Sequence, residues 1–179
     1  MRDQRLVETG EVFTPPTLAN YMLDKLPVVW TDPGKVWLEP SAGDGNFLVE
    51  IKRRLLEAGH SEKHVLDNMI FSVELMDDNH WTLQHRLGYL VDGKPNPRLW
   101  KTEAQVEKWF TISKIDRKAQ DLNGMNPYYE SGIVDRPDRV YHHVHHVCAD
   151  VLAYSAKGFK FDKSHETRQR ITKEDLIQY

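Results

Sequence analysis

Cysteine is nearly absent from this chain: Cys148 stands alone among 179 residues, so no intrachain disulfide can form and a core must hold the fold. Long apolar runs are missing as well, and no stretch reaches the roughly 20 residues that a membrane-spanning helix needs. Nor is there an excess of one charge. With 24 Lys and Arg against 27 Asp and Glu, a net charge of −3 gives no general attraction for nucleic acid, so any such contact must come from a local patch. One basic stretch exists at 157–173, where Lys157, Lys160, Lys163, Arg168, Arg170 and Lys173 outnumber Asp162 and Glu166; an exposed charged segment is the plainer account of it. The opening MRDQRLVETGEVF lacks the apolar centre of a secretory signal. The expectation is a soluble, cytoplasmic protein without membrane association, and the oligomeric state is left open. No repeat or low-complexity segment is visible.

What is present reads as an α/β chain long enough for one domain. PPTLANYMLDKLP at 15–27 spaces Leu18, Tyr21, Met22 and Leu26 as one face of an amphipathic helix. A turn at 31–34 precedes Val36, Trp37 and Leu38, expected as a compact, fully buried strand. Phe47, Leu48, Ile51, Leu55 and Leu56 then repeat at helical spacing with Lys52, Arg53 and Arg54 solvated, until Gly59. MIFSVEL at 69–75 reads as a second strand and DDNHWTLQHRLGYL as a second helix. Alternating strand and helix predicts a parallel sheet with flanking helices.

Residues 91–139 carry weak signals and read as an insertion, with a helix at 102–110 capped by Thr102. Trp100, Trp109 and Phe110 would anchor it to the core or offer a partner surface. Strand character returns in YHHVHHVCADVLAY, 141–154, and Thr172 with Asp175 suggests a capping box for a short last helix.

Between the first strand and its helix lies EPSAGDGNFL. Gly43 and Gly45 can take backbone angles closed to other residues and let a ligand approach the main chain, although a tight turn without a ligand would also use them. A dinucleotide site needs a third glycine where Leu48 stands, and Glu74 lies beyond the spacing expected for its acidic residue, which leaves an NAD-dependent oxidoreductase as a remote alternative. A carboxylate ending the second strand still suits ribose hydroxyls.

GEVFTPPTLANYML, EPSAGDGNFL, FSVEL and HHVCADVLAY resemble, in order, motifs X, I, II and III of the S-adenosylmethionine-dependent N6-adenine DNA methyltransferases of the amino (gamma) group. The resemblance covers about half the chain. It implies a Rossmann-like class I methyltransferase fold, truncated after the third or fourth strand. It further implies S-adenosylmethionine as cofactor, with Phe13, Thr14 and Pro15 beside its methionine portion and Glu39, Pro40, Ser41, Ala42, Gly43, Asp44, Gly45, Asn46 and Phe47 as its floor. Glu74 would take the ribose hydroxyls, Leu75 would pack near the adenine, Asp150 would accept from the adenine amino group, and Val151 would lie against the ring. A cationic cofactor suits Glu39 and Asp44, which could instead be helix-start carboxylates; Asp150 could likewise be a strand-end carboxylate capping a loop. The implied domains are an N-terminal segment with the motif X helix at 1–29, a cofactor-binding α/β domain at 30–162 containing the insertion, and a polar, basic tail at 163–179.

The family's catalytic tetrapeptide, Asn or Asp, Pro-Pro and an aromatic, should follow a fourth strand. FKFD at 159–162 supplies the aromatic-Asp pair that precedes that strand, but the sequence continues KSHETRQRITKEDLIQY with neither strand nor tetrapeptide. Asn126, Pro127, Tyr128 and Tyr129 resemble the tetrapeptide in the wrong place, where a turn with partly buried tyrosines is the alternative. Activity on DNA would then need missing elements or a protein partner that supplies them; the alternative is an inactive S-adenosylmethionine-binding accessory subunit or regulator. On one strand, HHVHH would put His143 and His145 on one face and His142 and His146 on the other; no carboxylates or cysteines complete a metal site, so half-exposed histidines and no metal are expected. Cys148 reads as a small buried apolar residue.

Overall fold

The computed structural model describes residues 12–27, 29–114 and 139–148. Asn126, Pro127, Tyr128, Tyr129, Asp150, Val151, the basic stretch and the Thr172–Asp175 pair lie outside the described residues.

Helix α1 (Pro16–Asp24) starts on a proline, whose fixed φ suits a first turn. It packs on α2 (Asn46–Glu57) through a different face from the one the spacing suggested. Ala19 and Leu23 are buried, whereas Leu18, Tyr21, Met22 and Leu26 are exposed by 46–59%. The small Ala19, one turn before Leu23, lets the two helices approach closely. Arg54 of α2 completes the contact, pairing with Asp24 at 2.7 Å and donating to the Asn20 carbonyl at 3.2 Å.

Three parallel strands form a small sheet in the order β1 (Trp37–Glu39), β2 (Ile70–Glu74), β7 (His146–Cys148), with flanking helices. Parallel neighbours need a crossover between them, and α2 supplies it from β1 to β2. β1 is not fully buried. Val36 and Leu38 are 57% and 52% exposed because β1 is an edge strand among the described residues, and Trp37 stacks on Trp30 with ring centroids 4.7 Å apart.

On α2, Leu48, Ile51 and Leu55 fill the core as their spacing predicts, while Leu56 sits at the rim. Its cations are not simply solvated. Lys52 reaches Glu62 at 2.5 Å and the Leu87 carbonyl at 2.7 Å, and Glu50 binds both Arg53 and Arg54, so long basic stems lie along the helix and spend their charge on neighbours. The chain then makes a short α3 (Glu62–His64), capped by Ser61, that widens into a π turn at Val65–Met69. No sequence signal announced this turn; it buries Val65, Leu66 and Met69 beneath β2.

Helix α4 (Asp77–Leu87) follows β2 and ends on Gly88 at φ +82°. A small hairpin, β3 (Leu90–Val91) with β4 (Lys94–Pro95), turns through Asp92 and Gly93 at positive φ. Helix α5 (Glu103–Trp109) has the expected Thr102 cap, reciprocated by Gln105 as a capping box. β5 (Phe110–Lys114) then pairs antiparallel with β6 (Arg139–His143). The single strand expected from residue 141 is therefore two, because the chain turns at Val144 and His145 to leave the β5–β6 pair and join β2. Trp100 and Phe110 are buried in the main core with Trp109 against it. No helix among the described residues is long and apolar enough to cross a membrane.

Candidate functional site

The carboxyl ends of β1 and β2 bring together residues from three separated stretches. After Glu39 the backbone turns through Pro40–Asp44, and the Ala42 amide donates to the Val73 carbonyl at 3.0 Å, so the loop lies against β2. One residue on, the Gly43 amide donates to Glu74 Oε2 at 2.6 Å. Glu74 Oε1 accepts from the Met76 amide at 2.9 Å and stands 3.5 Å from Asn79 Nδ2. This carboxylate is buried and has no ion pair among the described residues.

Phe13 and Thr14 reach the same place. A Cβ on Gly43 would stand 3.2 Å from the Phe13 ring, and the Thr14 carbonyl accepts from Asn46 Nδ2 at 3.0 Å. Pro15 is exposed at the start of α1. Both glycines have positive φ, +54° at Gly43 and +96° at Gly45. Their open faces are filled from within the protein: Phe13 covers Gly43, and a Cβ on Gly45 would collide with Leu83. Gly45 therefore serves the packing of α4 as well as the turn.

The acidic residues divide. Asp44, expected to meet a cationic ligand, lies 2.9 Å from Arg86 on α4, and its charge is matched there. It does not cap α2, whose N-cap is Gly45. Glu39 has only the Ser41 amide, at 3.3 Å, and no cation among the described residues. Burial pushes its carboxyl above the usual range against the pull of that amide. Pro40 and Ser41 are exposed, Ala42 is buried, Asn46 and Phe47 are half-buried, and Leu75 is 48% exposed at the sheet edge.

β7 lies beside β2 with Cys148 opposite Glu74. The thiol is not merely an apolar filler, since Sγ donates to Asp77 Oδ1 at 2.7 Å. Burial, then the Asp77 carboxylate, push it well above the ordinary thiol range. Asp150 and Val151 follow by two and three residues.

Behind the site the histidines divide: His142 and His145 are half-exposed as expected, whereas His143 and His146 go into the core with His80. His143 and His146 are fully buried, and Tyr89, Trp100, Trp109 and Phe110 surround His143. His146 Nδ1 meets Ser72 Oγ at 2.6 Å, His80 Nε2 meets His142 Nδ1 at 3.2 Å, and Gln84 accepts the His143 amide at 2.8 Å. Desolvation lowers His80 to about 3 and His145 to about 4, and takes His143 and His146 well below the ordinary value. Among the described residues no group of three or more His, Cys, Asp or Glu could hold a metal ion.

Arg86 and Leu83 carry the glycine loop, and no sequence signal marks either as a site residue. Their spacing puts them on one side of α4, but nothing in the sequence names a partner 42 residues away. No protein-family model matches the chain, and no curated protein matches it significantly.

Proposed function

We propose that this chain is the S-adenosylmethionine-binding part of a methyltransferase resembling the N6-adenine DNA enzymes, with β1, β2 and β7 forming one half of a Rossmann-like sheet. The observation that carries the reading is the meeting of Phe13, Gly43 and Glu74 at the carboxyl edge of parallel strands, where open α/β sheets bind their ligands. Each of the three comes from a different motif of the resemblance.

The chemistry of these groups fits the cofactor. Glu39 is a partly desolvated carboxylate without a cation among the described residues, and an ammonium would relieve that cost. Glu74 Oε2 accepts one protein hydrogen bond and keeps a lone pair for a ribose hydroxyl. A pyrophosphate fits poorly. The Gly43 and Gly45 amides are already engaged by Glu74 and the Ala42 carbonyl, Leu48 is buried where a third glycine would be needed, and Glu39 and Glu74 would repel the anion. This argues against the oxidoreductase alternative.

The cofactor supplies a sulfonium-activated methyl group; the residues here bind and orient it. Placing an adenine amino group in line with that methyl requires acceptors and an aromatic platform. These would come from a further segment or a protein partner, with DNA as the acceptor. A cytoplasmic location accompanies this reading. The second reading is an accessory subunit that binds the cofactor without transferring its methyl, since residues 163–179 hold no catalytic tetrapeptide.

Calorimetry with S-adenosylmethionine, its demethylated product and NADH, beside transfer of labelled methyl to mixed DNA, tests both. Binding of the first two without NADH supports the proposal. Transfer that Asp150→Ala abolishes selects the enzyme, and binding without transfer selects the accessory subunit. No heat with either sulfur compound refutes both.

A further inference from the structure

Arg86 reaches from α4 back to the loop after β1. Its Nη1 donates to the Asp44 carbonyl at 2.8 Å and stands 2.9 Å from Asp44 Oδ2, while Nη2 donates to Asn46 Oδ1 at 2.8 Å. Asn46 in turn donates through Nδ2 to the Thr14 carbonyl. Only this orientation of the Asn46 amide satisfies both neighbours. A single guanidinium therefore joins α4, the glycine loop and the segment that carries Phe13.

We propose that Arg86 is a positioning residue: it clasps the glycine loop and, through Asn46, holds Phe13 and Thr14 in the one arrangement that receives the ligand. The inference rests on the cofactor-binding reading given above. Leu83, three residues earlier on α4, fills the face of Gly45, so the loop is held at two points by one helix. The planar fork of arginine supplies divergent donors to a carbonyl, a carboxylate and an amide oxygen; lysine offers a single charged point. The ion pair is about a third exposed on each side, 33% at Arg86 and 30% at Asp44. Such a pair adds little to global stability, which separates its effect on binding from any effect on folding.

Arg86→Met and Arg86→Lys test this through three measurements. The first is the S-adenosylmethionine Kd by calorimetry, the second the urea midpoint, and the third amide exchange at Gly43, Gly45 and Asn46 without ligand. Arg86→Met is expected to weaken binding by about 10–100-fold, with a near-unchanged midpoint and faster exchange at those amides. Arg86→Lys recovers part of the affinity. Unchanged affinity, or a loss that merely follows the urea midpoint, overturns the proposal. If the unaltered protein binds no S-adenosylmethionine, the cofactor reading fails by itself, and exchange still decides the clasp: unchanged exchange in Arg86→Met sinks it.

Discussion

Glu74 Oε2 accepts the Gly43 amide at 2.6 Å across 31 residues of sequence, which makes the acid at the end of β2 a brace for the loop after β1. Its other oxygen holds the Met76 amide at the start of α4. Under the proposed function the same carboxylate also meets a ribose. Glu74→Gln keeps one acceptor oxygen but turns an NH2 donor toward the other backbone amide, so it should weaken S-adenosylmethionine binding with an intermediate loss of stability. Glu74→Ala leaves both amides without their acceptor and should also lower unfolding free energy by about 1–3 kcal/mol. Calorimetry and urea denaturation on both variants check the split.

Gly45 is constrained twice, by φ of +96° and by the Leu83 side chain where a Cβ would go. Gly45→Ala should cost about 2–4 kcal/mol, combining left-handed backbone strain with overpacking. In a double-mutant cycle, Leu83→Ala should relieve the overlap but not the strain, giving a coupling of about 1–3 kcal/mol. Additive urea-denaturation energies would show that the two residues do not meet.

Stability should fall with acidity before carboxylates are protonated. His80 and His145 titrate near 3 and 4 in the fold, and His143 and His146 lie well below their ordinary value, against about 6.5 unfolded. Between those limits the unfolded chain binds more protons, so stability is fully present above about pH 7 and is lost as pH falls from about 6.5 toward 4. Each such histidine adds about 1.4 kcal/mol per pH unit to the slope. Lys63 and Asp67, facing the group from the α3 region, act in opposite senses. Urea midpoints from pH 8 to pH 4 measure the slope, and His143→Phe should flatten it by one histidine's share.

Cys148 should react slowly with thiol reagents at pH 8. Burial and the Asp77 carboxylate both oppose its thiolate, the form that attacks. Asp77→Asn should speed modification in the folded protein and leave the rate in denaturant unchanged, as followed by absorbance with a chromogenic disulfide.

Much of this arrangement was legible where periodicity or capping chemistry spoke. Leu48, Ile51 and Leu55 announced α2, and Thr102 announced the start of α5. The sheet order could be anticipated only as parallel; that β2 lies between β1 and β7 is a tertiary fact. The helix α1 follows its spacing but its buried face does not, because Ala19 carries little hydrophobic signal yet is buried with Leu23, while the bulkier Leu18, Tyr21 and Met22 are exposed. The burial of His143 and His146 is not legible from residue type, which suggests partial exposure; for His143 it comes from aromatic neighbours drawn from α5, β5 and the β3 side. In the site, Gly43, Gly45 and Glu74 were visible as a motif. Arg86 was not, since a basic residue in the last turn of a helix is ordinary and its three acceptors become neighbours only on folding.

Trp30 and Trp37 stack with planes 9° apart, and Trp37 stands two residues before Glu39. Two indoles stacked face to face so nearly parallel share their electronic excitation, and the sign and size of the resulting circular dichroism depend on the angle between their transition dipoles. The molecule thus has an internal gauge beside its glycine loop. Any rearrangement that twists the end of β1 should register as a change in that optical couplet, without a label.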